Sequence, residues 1–449
     1  MSSQLKASKI FALRKADVKN KIIEFLLFVV YKLLFGLFLL PYHLVYNIET
    51  APAISKVVLG WIIYIAILFI AINKLKDYYY SAVYKFLFIL GGVSTLLIFE
   101  MERIDNLDFI KAMSYWVVLL FVFIYSQKTA IRQSSRIQLP KIPDLQYFLL
   151  IFAVFFTVAM SGIYSGFRLT LSFDEIYTYR LEMRAEQMPA IVNYLLYFLG
   201  GAILPYCFAF FISRKLLFTA GIALFSGILI FSINGMKTWL VIYLLVLFVF
   251  ISFRFDKNKL ISYLLIGMIM WIVLSLFLFY RSSSVNLMAL LGRTTYIPSR
   301  IGYDYIAFFD DNVFLFLRES ILKFFFDAPY PHHSAFYIVD GNATDVLTTS
   351  RANNGLWGDA YANFAFFGIL VYPVLFTAII ASFRRSMKGE DIRLLISVSF
   401  ILLWSAINTS FFTWLVSGGV IVLLIINKAS RPLIKTNKVQ ININKKSIS

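Results

Sequence analysis

Twelve apolar runs long enough to cross hydrocarbon about 30 Å thick, a distance that takes roughly 20 helical residues, dominate the chain. They lie at 22–40, 55–73, 84–100, 109–126, 146–163, 191–212, 216–233, 238–253, 260–280, 363–383, 392–408 and 411–427. Most of the intervening polar pieces are short, and two are not. Residues 164–190 form a mid-sized loop, and residues 281–362 form a long one. The long loop contains apolar stretches such as YIAFF and ILKFFF, too short to span and broken by charge. Such stretches predict short interfacial or re-entrant helices. The pattern predicts an all-α polytopic membrane protein: one integral domain over 1–449 with about 12 spans and a large external loop.

The charges give that pattern an orientation. The net charge is +18, but it is unevenly distributed. The pieces 1–21, 74–85, 127–145, 213–216, 252–260, 384–393 and 427–449 are all basic and sum to +22. The alternate loops, 41–53, 100–108, 164–190, 234–237 and 281–362, sum to −6, and residues in or beside the spans account for the remainder. Basic loops stay in the cytoplasm, so both termini are expected there and the loops 164–190 and 281–362 outside. The basic pI then reflects membrane orientation, and no nucleic-acid partner is expected. No cleavable signal pattern follows the basic first 21 residues, and the first span reads as an uncleaved signal-anchor. The tail at 428–449 reads as a basic segment lying near anionic lipid.

Composition narrows the chemistry. With 60% apolar and 15% charged residues, a soluble globular body is excluded. The single cysteine, Cys207, allows no internal disulfide, and three histidines leave little room for a metal centre. No GxSxG, Walker, HExxH, CxxC or dinucleotide motif occurs, so hydrolase, ATPase, zinc and redox chemistry have no foothold.

The candidate residues lie on the outer side. In SFDEIYTYRLEMRAEQMP, Tyr177, Arg180 and Arg184 share one helical face, with Arg168 just upstream. Paired guanidinium groups suit a diphosphate, which they bind through charge-assisted hydrogen bonds. A solvated helix with salt links is the alternative. Lys237 stands alone in a short turn between apolar runs, where it either meets an anion or snorkels to the interface. The long loop adds Arg281, Arg293, Arg300 and Arg351 against the charge bias. Their partners are either a lipid-linked phosphate or nearby acids, such as Asp304 for Arg300. His332, His333 and Asp359 qualify by type as proton acceptors for a hydroxyl, although Asp359 can also cap a helix. Asp310–Asp311 resembles paired acids that hold a metal-bound phosphate.

In order, FDEIYTYR, the Gly235–Met236–Lys237 turn, IPSR and NNGLWGDAYANFAFFGIL resemble the O-antigen polymerase (Wzy) family, the oligosaccharide repeat unit polymerases, over roughly 145–380. The last block is the most specific, with Gly355, Asp359, Tyr361, Asn363, Phe364 and Gly368; where the family carries glycine after that phenylalanine, this chain has Ala365. The resemblance implies a GT-C-like glycosyltransferase of the bacterial inner membrane. It would join undecaprenyl-pyrophosphate-linked oligosaccharides into O-antigen or capsule, without metal or cofactor and with a chain-length regulator as a possible partner. Arginines and Lys237 would stabilise the pyrophosphate leaving group, and Tyr177 and Tyr361 would line the substrate. The rivals are an O-antigen ligase, with the same donor and another acceptor, and a lipid-linked oligosaccharide flippase. A flippase calls for charges within the spans, which read here as nearly free of charge beyond Glu24 and Lys32.

Overall fold

The computed structural model describes residues 2–129, 142, 144–168, 188–235, 237–340 and 355–430. The first helix, α1 (Ser2–Val45), shows how hydrocarbon as solvent shapes the elements. Its exposed leucines Leu26, Leu33, Leu37, Leu40 and Leu44 recur at helical spacing. On the buried side Tyr31, Phe35, Phe38 and Tyr42 form a ladder with ring centroids 5.6–5.8 Å apart. An apolar face turned outward and a packed aromatic face turned inward suit a helix whose surroundings are as apolar as its own side chains, so that shape and polar contacts hold helices together.

The following helices are α2 (Ile54–Lys74), α3 (Tyr78–Met101), α4 (Asn106–Thr129), α5 (Leu145–Ser165) and α6 (Ile191–Ser213). Then come α7 (Leu217–Asn234), α8 (Lys237–Phe255), α9 (Leu260–Ser282), α10 (Asn286–Asp310) and α11 (Ser334–Asp340). The last four are α12 (Leu356–Ser386), α13 (Ile392–Ile407), α14 (Phe411–Leu415) and α15 (Val420–Ala429). Among the described residues no strand forms, and one isolated bridge joins Ile142 to Ser430. Nine helical stretches there are long and apolar enough to cross a membrane: α1 to α6, α9, α12 and the broken α14–α15 segment. The chain is an all-helical polytopic membrane protein. The expected number of twelve spans requires that α7, α8 and α13, which are shorter apolar helices, cross as well.

At the centre stands α3, whose apolar stretch is wholly buried. A π-turn at Phe88–Gly92 interrupts it and frees backbone carbonyls from the regular ladder. In an apolar interior those carbonyls need new donors, and hydroxyls supply them. Tyr31 donates to the Ile89 carbonyl at 3.1 Å. Thr95 and Ser299 donate to the Gly91 carbonyl at 2.9 and 3.0 Å.

Ser299 belongs to α10, which corrects one expectation. Where short interfacial helices were predicted, 25 residues form one continuous helix that contains YIAFF and wedges against α3, α4 and α12. Its buried side carries Leu291, Thr295, Ser299, Gly302, Ile306 and Phe309, a stripe that the interspersed charges conceal in the sequence. ILKFFF, by contrast, makes a short 3₁₀ turn with Phe324, Phe325 and Phe326 exposed.

Helix α12 breaks at Phe364–Ala365, where Ala365 has φ +51° and ψ −143°. That region is essentially reserved for glycine and costs an L-residue about 1–3 kcal/mol. Ala365→Gly is expected to raise stability by about 1 kcal/mol, after about 0.5–1 kcal/mol is given back to the unfolded chain. Thermal unfolding in detergent checks this, and an unchanged or lower midpoint contradicts it.

Candidate functional site

At the end of the bundle where α1 and α3 finish, three chain segments surround a cleft of about 490 Å³. The turn after α1 contributes Asn47 and Glu49, and the turn after α3 contributes Glu102 and Arg103. The third wall is α10, with Tyr296, Arg300 and Asp304 at helical spacing.

The back of this cleft is a hydrogen-bonded network. Glu102, only 3% exposed, accepts from the Tyr296 hydroxyl at 2.5 Å and from Arg300 Nε at 2.6 Å. His43 Nε2 lies 3.7 Å from the same carboxylate. Arg300 Nη1 donates to Asp304 Oδ1, so this guanidinium bridges two acids. Burial pushes the Glu102 carboxyl up from its ordinary value, and Arg300 pulls against that. The same contest, with burial ahead, raises Asp304. Burial disfavours the Arg300 charge, yet Asp304 and Glu102 outweigh it and its net shift is upward. At the mouth, Arg103 and Glu49 face each other at 3.6 Å, both largely exposed.

A second cluster joins α4, α10 and α12. Lys111 Nζ lies 3.1 Å from Asp108 Oδ1 and 2.5 Å from Asp310 Oδ2. Tyr361 donates its hydroxyl to Asp310 Oδ1 and turns its ring toward Lys111. Asp310 is thus engaged with a cation and a phenol, while the neighbouring Asp311 is exposed. Among the described residues no group of three or more His, Cys, Asp or Glu converges on one point.

A third cluster centres on Asp359, and its role differs from the cap expected in its own helix. Gly355 is the N-cap of α12, and Asp359 lies inside the first turns. Its carboxylate accepts the Phe411 amide at 2.9 Å and Asn363 Nδ2 at 3.1 Å, so it caps α14 instead. Asn363 Oδ1 in turn accepts the Leu317 amide at 2.8 Å. Thus Asp359 and Asn363 link the segment after α10, α12 and α14.

The other predicted residues are scattered. His333 lies 3.3 Å from Glu319, whose carboxylate also caps α11 through the Ser334 amide and hydroxyl. His332, Arg168, Arg281 and Arg293 are exposed. Of these, only Arg293 lies on the α10 helix that walls the cleft; Arg168 follows α5 and Arg281 closes α9. Tyr177, Arg180, Arg184 and Arg351 lie outside the described residues, and Lys237 begins α8 with its side chain outside them. Sequence reasoning overlooked His43, Glu102 and Tyr296. Nothing local marks them: Glu102 counted only as loop charge, and its partners lie far along the chain.

Fold and clusters together define a polytopic helical membrane protein with a charged cleft closed by a wedged helix. Compared with protein-family models, with curated proteins and with solved structures, the chain finds no match in any of the three.

Proposed function

We propose that this chain is a membrane-integral glycosyltransferase that joins polyprenyl-pyrophosphate-linked oligosaccharides into a longer glycan on the outer side of a bacterial cytoplasmic membrane. The observation that carries the reading is the backbone at Ala365. The polymerase family that the sequence resembles has glycine at this point of the block, and the local φ and ψ are those that glycine adopts without strain. The same block packs against α10, one wall of the cleft, and the charge bias of the loops supports the orientation.

In this reaction the acceptor hydroxyl attacks the anomeric carbon, and the sugar–phosphate bond breaks with its electron pair leaving on pyrophosphate. Pyrophosphate is already a weak base, so the protein's tasks are to neutralise its charge and align the two sugars. Arg300 is committed to Glu102 and Asp304, which moves the anion-binding role toward Arg168, Arg180, Arg184, Lys237, Arg281, Arg293 and Arg351. In vesicles supplied with an undecaprenyl-pyrophosphate-linked repeat unit, the purified chain should produce a ladder of multiples that survives EDTA. Alanine at two to four of the seven cations should abolish it while the protein still inserts. Retention of the ladder by all seven variants refutes the cationic clamp, and a single added unit on lipid A core makes the enzyme a ligase.

One observation favours a second reading, transport of the lipid-linked glycan. The spans hold more charge than the sequence suggested: Lys32 pairs with Glu100 at 2.5 Å, and Lys85 with Glu24 at 2.5 Å. Both pairs are internal, as charges lining a path in a transporter would be. Movement of a fluorescent lipid-linked sugar across the vesicle membrane without lengthening selects transport.

A further inference from the structure

We infer that the cleft between α10 and the turns after α1 and α3 binds the uncharged, hydroxyl-rich part of the acceptor glycan, and that Asp304 takes the proton of the attacking hydroxyl. The inference rests on the glycosyltransferase reading for the proton step, and on the cleft alone for the binding step.

Charge decides what the cleft accepts. Its two cations, Arg103 and Arg300, are outnumbered by Glu49, Glu102 and Asp304, and each already faces a carboxylate. A pyrophosphate entering here would meet three negative groups and no uncommitted cation. A neutral polyol has the opposite experience. Arg300 has five N–H donors, of which Glu102 and Asp304 each take one, leaving three in a rigid planar fork. Carboxylate oxygens and Asn47 at the rim add acceptors and donors at fixed positions. The volume falls within the ~300–1,000 Å³ of ordinary small-molecule sites.

The two carboxylates beside Arg300 have different tasks. Glu102 is sealed, with both oxygens occupied, and it holds the guanidinium from behind. Asp304 is about a third exposed, at 35%, and only its Oδ1 is used by Arg300. Its other oxygen accepts no hydrogen bond among the described residues and is open to a sugar hydroxyl. Burial makes this carboxylate more basic than an ordinary aspartate, which suits proton transfer. As the hydroxyl oxygen bonds to the anomeric carbon, its proton passes to Asp304 and the electron pair of the breaking bond leaves on pyrophosphate.

The test uses the full chain in detergent, with two probes: the repeat-unit oligosaccharide freed from its lipid by mild acid, and inorganic pyrophosphate. Saturation-transfer NMR should show the sugar bound, and millimolar pyrophosphate should not displace it. Ile297→Trp, which fills the cleft, should abolish the signal. Glu49→Trp, at the exposed rim, should do the same without touching the core. Asp304→Asn should keep sugar binding within about threefold yet slow lengthening by about 100-fold or more. Absence of sugar binding, displacement by pyrophosphate, or unchanged binding in both tryptophan variants overturns the cleft. Lengthening unaffected by Asp304→Asn overturns the proton role. Sugar binding without any lengthening by the wild-type chain upholds the cleft and sinks both the proton role and the glycosyltransferase reading.

Discussion

Lys32→Met is expected to lower stability by about 3–5 kcal/mol, the usual cost of removing one partner from a buried ion pair. Lys32 is buried, its Nζ lies 2.5 Å from Glu100 Oε1, and it stands 4.0 Å over the Trp61 ring. The methionine variant would leave the Glu100 carboxylate alone in a dry interior. Adding Glu100→Met should recover most of the loss, because an apolar pair of similar bulk needs no counter-charge. Gly60→Ala is a steric route to the same site: a Cβ there would come within 2.0 Å of Glu100 Oε1. Unfolding in detergent, read as a complete double-mutant cycle, checks the set. If the double variant is no more stable than the worse single one, the pair is not the source of the effect.

Gly302→Leu is expected to cost about 3 kcal/mol, the upper end for overpacking, and to unseat α10 from α12. At this crossing a Cβ on residue 302 would come within 2.4 Å of the Trp357 ring, and one on Gly358 within 3.2 Å of the Gly302 Cα. The contact depends on two backbones approaching without side chains between them. Limited proteolysis after Arg300 and Arg318 should become faster in the leucine variant. Wild-type protection would mean that α10 is held by other contacts.

The apolar runs made the spanning helices legible, because twenty residues without charge have few other uses. The block around Asp359 and Tyr361 was legible as important, but its task was not. Asp359 caps a helix 52 residues further on, and a cap of that kind leaves no local pattern. Helix α10 was missed because Arg293, Arg300 and Asp304 made its sequence look like a loop. Only when seven- and four-residue spacings are read together do they form one polar stripe. The cleft was illegible for a plainer reason. Glu102 and Tyr296 are 194 residues apart, and pairing by charge alone offered Arg300 several acids. Lys85 and Glu100 stand at the two ends of the apolar run 84–100 and read equally well as loop charge, whereas the helix continues beyond both.

The two ion pairs inside the spans also constrain the order in which the protein is made. Lys32 emerges from the ribosome 68 residues before Glu100, and Glu24 emerges well before Lys85. Until α3 is synthesised, α1 holds an unmatched acid and an unmatched base, and a lone lysine near a helix centre costs about 2.5–3.5 kcal/mol at the translocon. That cost offsets part of what the apolar residues of α1 gain on entering lipid, and pairing with α3 removes it. Joint release of the first three helices is the expected result: a nascent chain stalled before Glu100 should crosslink to the translocon more strongly than one stalled after it.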